Sequence, residues 1–387
     1  MKTQFNINEF GAKGDGKNLD TSAIQQAIDA CSQAGGGQVI CGPGQFLIGT
    51  IQLKSNVELH LTAGCKLIGS SQLADYTDFK IKGFKDQYAP ENNTKALILA
   101  MEAENISITG PGEINGTGLA FYNQNQKIGH FFQKPDDDRP RMVIFYKCRN
   151  IKLIDTSFID SPCWTFWLMK CEQVQIHRIK IKGDQRMINN DGIDIDSCKD
   201  VTVSDCLIKT GDDSLVLRAM DYMYDEPKPC ENITITNCVL DSWCQGIRIG
   251  CPSDGIIRNC SFSNLTINNE VNNGILFENP KRYLIPDCTG KLNITNLTFT
   301  NIVINCHRYP IKLLIEEGIN IQKLAKINFS NLIIRSNQPC VIEGNSTNPI
   351  QEITFNEVKF ETNGPEAFTI KYAQDIRLNN FVLTHLS

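Results

Sequence analysis

Aliphatic pairs separated by one polar residue return along this chain at a nearly regular interval. Ile151-Lys152-Leu153, Val174-Gln175-Ile176, Val201-Thr202-Val203, Ile233-Thr234-Ile235, Leu265-Thr266-Ile267 and Ile294-Thr295-Asn296-Leu297 follow one another about 23 to 32 residues apart. Alternation with a period of two is the signature of a strand with one face buried. Helical repeats of this length would carry long stripes of period 3.6, and these segments do not. Asn, Asp and Ser sit at the joints, where their side chains bond nearby backbone and tolerate left-handed conformations. Short strands at regular spacing with polar corners predict an all-β stack. A parallel β-helix fits better than a propeller, whose blades need several longer strands. The pattern continues through Ile353-Thr354-Phe355 and Ile376-Arg377-Leu378, so the stack is expected to run nearly to Ser387. No Pro/Ser/Gly tract divides the 387 residues, and a solenoid escapes the usual size limit because each repeat touches only its neighbours. A single domain over 1–387 is expected.

The N-terminal part departs from this rhythm. After the turn-rich Phe10-Gly11-Ala12-Lys13-Gly14-Asp15-Gly16, Ala23, Ile24, Ala27, Ile28 and Cys31 fall on one helical face. Asp20 or Thr21 is placed to cap this helix, expected over about 20–33, and Gly35-Gly36-Gly37 ends it. Such a helix covers the open end of a strand stack, where bare edges would pair with other chains. Two long non-repetitive stretches, 75–95 and 118–139, are expected to be loops that wall a cleft.

A net charge of −5 argues against nucleic acid or an anionic membrane surface as partner. No apolar run approaches the roughly 18–20 residues of a membrane span. Met1-Lys2-Thr3-Gln4-Phe5 has no leader-like pattern, so the cytoplasm is expected, or a secreted or periplasmic protein if the chain begins at a mature end. Many of the sixteen cysteines recur in equivalent repeat positions, among them Cys148, Cys171, Cys198 and Cys230, then Cys206, Cys238 and Cys260. That spacing reads as a ladder of small buried thiols rather than as disulfides or a metal site. The Asn-x-Thr triplets at Asn232 and Asn296 read as corners rather than glycosylation sites.

Four polar segments open successive strands: Asn189-Asn190-Asp191-Gly192-Ile193-Asp194, Gly211-Asp212-Asp213-Ser214-Leu215, Cys244-Gln245-Gly246-Ile247-Arg248 and Asn273-Gly274-Ile275-Leu276. Strands in such a stack lie about 4.8 Å apart, which would gather several carboxylates in a small volume. Paired carboxylates are the equipment of glycosidic bond cleavage, and crowding like charges opposes folding, so turn formation alone explains them poorly. Period-two alternation turns the aliphatic residues inward. Asp194 and Asp196 then point out, and Trp167, Asp194, Arg218 and Arg248 form an outer strip, with Asp191, Asp212 and Asp213 at its edge. Trp167 or Trp164 would offer a sugar ring a flat apolar face.

The order Asn-x-Asp-Gly-x-Asp followed one coil later by Gly-Asp-Asp resembles the polygalacturonase family, glycoside hydrolase family 28. The likeness extends to the opening Phe-Gly-Ala-Lys-Gly-Asp-Gly, the Asp-Thr-x-Ala-Ile-Gln helix and Ser161-Pro162-Cys163-Trp164. It implies a right-handed parallel β-helix and hydrolysis with inversion, with Asp212 as general acid and Asp191 and Asp213 activating water. The chain also departs from the family. Gln245 stands where Gly-His-Gly carries its histidine, Leu276 and Glu278 stand where Arg-x-Lys holds the substrate carboxylate, and the later site tyrosine has no clear counterpart. Gln245 and Glu278 thus join Asp194, Trp167, Arg218 and Arg248 as expected substrate contacts. The sugar is neutral or differently charged, or Arg218 and Arg248 rebuild the clamp.

The expected function is hydrolysis of a pectin-type or related oligosaccharide, exo-acting, with no cofactor and no metal. The oligomeric state is open, and a monomer is compatible with this reading. Two alternatives remain: a lyase or uronate epimerase with an arginine base and calcium on Asp191, Asp194 and Asp213, and a non-catalytic glycan-binding β-helix.

Overall fold

The computed structural model describes residues 3–136, 138–288 and 291–385. Its contacts group into two compact units, Met1–Ile193 with Val201–Gly211, and Asp194–Asp200 with Asp212–Ser387.

The first unit is built from parallel coils. One sheet contains β1 (Ile51–Gln52), β2 (Ala96–Met101), β3 (Arg141–Tyr146) and β4 (Phe166–Met169), in register through Ile51, Ile98, Val143 and Phe166. Further strands stack Leu59, Ile108, Leu153 and Ile176 in the same way. All of these are buried, so like residues fill like positions along the stack. The helix α1 spans Thr21–Gln33 and buries the five residues of its apolar face. It packs on strands Gln4–Asn6 and Gly37–Cys41. Neither expected cap bonds the helix. Asp20 accepts instead from the N–H groups of Lys13 and Gly14 at 2.8 and 3.1 Å, and the Thr21 hydroxyl accepts from Gly49 N–H at 2.8 Å. Both side chains fasten the helix start to neighbouring turns.

The second unit repeats the plan with longer strands: Ile256–Asn269, Asn293–Cys306, Lys323–Arg335, Ile350–Thr362 and Ala373–His385. Their parallel register places Phe262, Phe299, Phe329 and Phe355 one above the other. The rings stack with centroids 4.5 to 4.9 Å apart. The first three long strands bend at an asparagine with positive φ, Asn264, Asn301 and Asn331, at 54°, 56° and 53°, and the fourth does so at Glu357, at 55°. Asn331 donates to Asn301 at 2.7 Å, Asn301 to Asn264 at 3.1 Å, and Asn264 to Asn237 at 3.2 Å. A second ladder runs from Asn296 to Asn259 to Asn232. The corner role expected of these asparagines is what the backbone shows.

The facing sheet of this unit carries β5 (Leu215–Arg218), β6 (Gln245–Ile249), β7 (Asn273–Phe277), β8 (Ile311–Leu314), β9 (Cys340–Glu343) and β10 (Phe368–Lys371). Leu215, Ile247, Ile275 and Ile311 share one row, and Val216, Arg248, Leu276 and Lys312 share the next. Burial of the aliphatic first row in the coil interior fixes the second row on the outer face. None of the sixteen cysteines is bridged, and thirteen are buried.

Candidate active site

Register on β5 to β7 assembles the polar cluster of the second unit. Asp213 precedes β5, Arg248 lies on β6 and Glu278 follows β7, so they stand on three successive coils. Arg248 Nη1 reaches Asp213 Oδ2 at 3.1 Å and its Nη2 reaches Glu278 Oε1 at 2.5 Å. The arginine thus bridges a carboxylate one coil before it and another one coil after it. It is 7% exposed. Asp213 is wholly buried, and its Oδ1 has no hydrogen-bond partner among the described residues. Burial pushes its carboxyl up to about 6, the neighbouring Asp212 charge adding to the rise while Arg248 and Arg218 oppose it.

Asp212 is the more accessible of the pair. Its Oδ1 accepts from the Asp213 N–H at 3.0 Å, and its carbonyl accepts from the Ser242 hydroxyl at 2.8 Å. The Cys244 thiol lies beside both acids, with potential donor atoms of the three residues within 4.8 Å of one another. Burial, then the charges of Asp212 and Asp213, push this thiol well above its usual range. A protonated thiol and the guanidinium on Asp213 both work against a metal ion here. Asn273 donates to Gln245 Oε1 at 2.9 Å, and the Cys244 and Asn273 carbonyls accept from Asn269. Gln245 is therefore a buried rung of an amide ladder. Gly246 is required at this corner, because a Cβ there would lie 2.4 Å from Ile267 and 2.8 Å from the Gly274 carbonyl.

The outward direction expected of Asp194 and Arg218 does not bring exposure. Arg218 is 4% exposed and clamps Asp194 Oδ1 with Nε at 3.0 Å and Nη2 at 2.8 Å, while Nη1 donates to the Cys251 carbonyl at 2.7 Å. Asp196 accepts from Tyr224 Oη at 2.5 Å and Met220 N–H at 3.1 Å. A non-repetitive segment containing buried Met220, Tyr222, Met223 and Tyr224 provides this cover. Arg218 and Asp194 are consequently a closed ion pair, and Asp194 is committed to a guanidinium.

In the first unit, Trp167 corrects the expectation of a sugar platform. It is 0% exposed, Trp164 is also buried, and both indoles face the Arg141 guanidinium at 4.6 Å. The reason is the segment 75–95: its Phe84 ring packs edge-on to Trp167 at 6.0 Å and, with Phe79, onto Tyr146. The segment 118–139 packs Tyr122 and Phe132 with Met187 in one apolar cluster; residue 137 lies outside the described residues. Arg139 ties it to the acidic motif, donating to the Ile188 carbonyl at 2.9 Å and to Asn189 Oδ1 at 3.0 Å. Both segments line a pocket of about 360 Å³ that includes Glu91, Lys134 and Arg139. Asp191 is nearly fully buried, and its carbonyl accepts from Thr165 N–H at 2.8 Å.

Sequence reasoning passed over Arg282 and Tyr283. Arg282 Nη2 lies 3.5 Å from Glu278, and its guanidinium packs over the exposed Tyr283 ring at 4.7 Å. The signal was the Lys281-Arg282-Tyr283 run directly after the Glu278 coil.

A family model described as "Glycosyl hydrolases family 28" matches residues 31–383. A probable polygalacturonase of Arabidopsis thaliana is 26% identical over 299 residues, 71% of this chain and 60% of the relative. The chain thus spans under two thirds of that relative's length. An endo-polygalacturonase of Pectobacterium parmentieri is 25% identical over 88% of this chain and 83% of its own. Among solved structures, a hyperthermoactive exopolygalacturonase from Thermotoga maritima superposes with a TM-score of 0.81, at 23% identity, over 99% of this chain and 92% of that one. That superposition carries the fold.

Proposed function

From the premise that this chain belongs to glycosyl hydrolases family 28 and has its right-handed parallel β-helix, we propose that it hydrolyses a pectin-type glycan, with Asp212 as the general acid. The observation that carries this reading is the pairing of an accessible Asp212 with a buried Asp213 whose Oδ1 has no partner among the described residues. An acid must meet the leaving oxygen, so the accessible carboxyl takes that role. The open oxygen of Asp213 suits a water molecule, and Asp191 shares its activation by its place in the motif. Asp212 and Asp213 stand within 4.8 Å, closer than the roughly 6.5–9.5 Å of an acid and base with water between them. Inversion therefore rests on Asp191 taking part.

Exo action is supported by the two long segments that pack around one pocket in the first unit, and by the exopolygalacturonase with the same fold. The lyase reading is disfavoured, because Arg218 and Arg248 are both held by carboxylates and Asp194 is not open to calcium. Sixteen unbridged cysteines support a reducing compartment.

The test is product analysis on pectic oligosaccharides. Wild-type protein is expected to release reducing ends of inverted anomeric configuration without the ultraviolet absorbance of an unsaturated uronate. Asp212→Asn is expected to lower kcat by roughly 10²–10⁴-fold with an unchanged far-ultraviolet dichroism spectrum. Undiminished turnover by that variant would remove Asp212 from the mechanism.

A further inference from the structure

We propose that the sugar ring bound against Arg248 carries no free carboxylate, and that Glu278 is the residue that excludes one. The inference rests on the hydrolase reading above and concerns the chemistry of the ring that the site accepts.

A guanidinium recognises a carboxylate by presenting two parallel N–H groups. Arg248 has both arms of its fork already on carboxylates of the protein. One terminal nitrogen is on Asp213 and the other on Glu278, and its buried Nε bonds none of the described residues. Arg218 is closed in the same way by Asp194 and the Cys251 carbonyl. The local charge points in the same direction. Arg248 is one guanidinium between two carboxylates, so an ionised Asp213 and Glu278 together outweigh its charge, while the exposed Arg282, 3.5 Å from Glu278, is screened by water. A further carboxylate entering this cluster meets net repulsion that a neutral or methyl-esterified ring avoids. Leu276, one coil beyond Arg248 on the same row, adds an apolar surface and no charge. Glu278 is central because it faces Arg248 from the side away from Asp213: without it, one terminal nitrogen of Arg248 would be released toward a ligand. An acidic sugar held at this coil would instead have to recruit the exposed Arg282, whose side chain is 58% exposed.

The experiment compares short α-1,4-linked galacturonate oligomers as free acids and as full methyl esters. For the wild-type protein, kcat/KM on the ester is expected to exceed that on the acid by roughly tenfold or more, with the difference in KM. Added salt should lower KM for the acid and leave the ester unchanged, because screening acts only on the charged ligand. Glu278→Lys should narrow or invert the preference, and Arg282→Ala should not weaken use of the acid. Equal or better use of the acid by wild-type protein, or its loss in Arg282→Ala, overturns the proposal. The salt series needs no variant and decides the matter if Glu278→Lys does not fold. Calorimetric binding of both oligomers to Asp212→Asn separates this inference from the reaction. Tighter binding of the ester supports charge exclusion even if the wild-type protein releases no reducing ends, a result that would defeat the hydrolase reading alone.

Discussion

Asp213 shows how a single side chain couples burial to reactivity. Its carboxyl titrates near 6 because it is cut off from water, and Arg248 restrains the rise rather than causing it. If Asp213 must be ionised to bind and activate water, hydrolysis is absent at low pH and gains its acid limb near pH 6. Removing the cation raises the carboxyl further, so Arg248→Gln should move that limb to higher pH. A pH profile of kcat/KM for the two proteins measures the shift, and a limb that stays in place would separate Arg248 from the ionisation of Asp213. Glu278 competes with Asp213 for the same guanidinium, which makes the identity of this one residue relevant to both substrate and pH response.

At the scale of elements, the corner asparagines are as informative as the strands. Each occupies left-handed backbone and also hands an amide N–H to the coil beside it. Replacing Asn301 by Ala should cost about 2 kcal/mol, combining the penalty of positive φ with the loss of a hydrogen bond on each side. Asn301→Gly relieves only the first part and should cost less. Urea unfolding of the three proteins tests the ranking; equal stability of Ala and Gly variants would mean that the backbone conformation contributes nothing. These corners, the coil repeat and the inward rows were legible in the sequence because they are periodic. Outward placement of Asp194, Arg218 and Arg248 was legible for the same reason. Their burial was not, nor was that of Trp167. The covering residues, Phe84 over Trp167 and Tyr224 over Asp196, belong to segments with no period, whose docking depends on tertiary packing. The bridge from Asp213 through Arg248 to Glu278 was half visible: alternation turned Arg248 and Glu278 outward and left Asp213 at the edge of the strip, while the hydrogen bonds required the actual register.

For the whole molecule, the unbridged thiols set a measurable expectation. Thirteen cysteines are buried, while Cys244, Cys288 and Cys306 are half-buried. Burial raises Cys306 to about 12 and takes Cys244 well above the usual thiol range, which suppresses the reactive thiolate. Native protein should therefore react rapidly with an aromatic disulfide reagent at three thiols or fewer, and denatured protein at all sixteen. More than three fast equivalents would show that the coils open readily. The asparagine ladders bear on how such a protein can be made. Asn232-Ile233-Thr234 and Asn296-Leu297-Thr298 are acceptor signals for N-linked glycosylation on an unfolded chain. In the folded protein the Asn232 amide donates to Asp200 and the Asn296 amide to Asn259. A host that secretes through a glycosylating pathway would meet these triplets before the ladders exist, and an attached glycan would occupy the nitrogen that joins one coil to the next. The choice of expression host thus becomes a choice about whether adjacent coils can close.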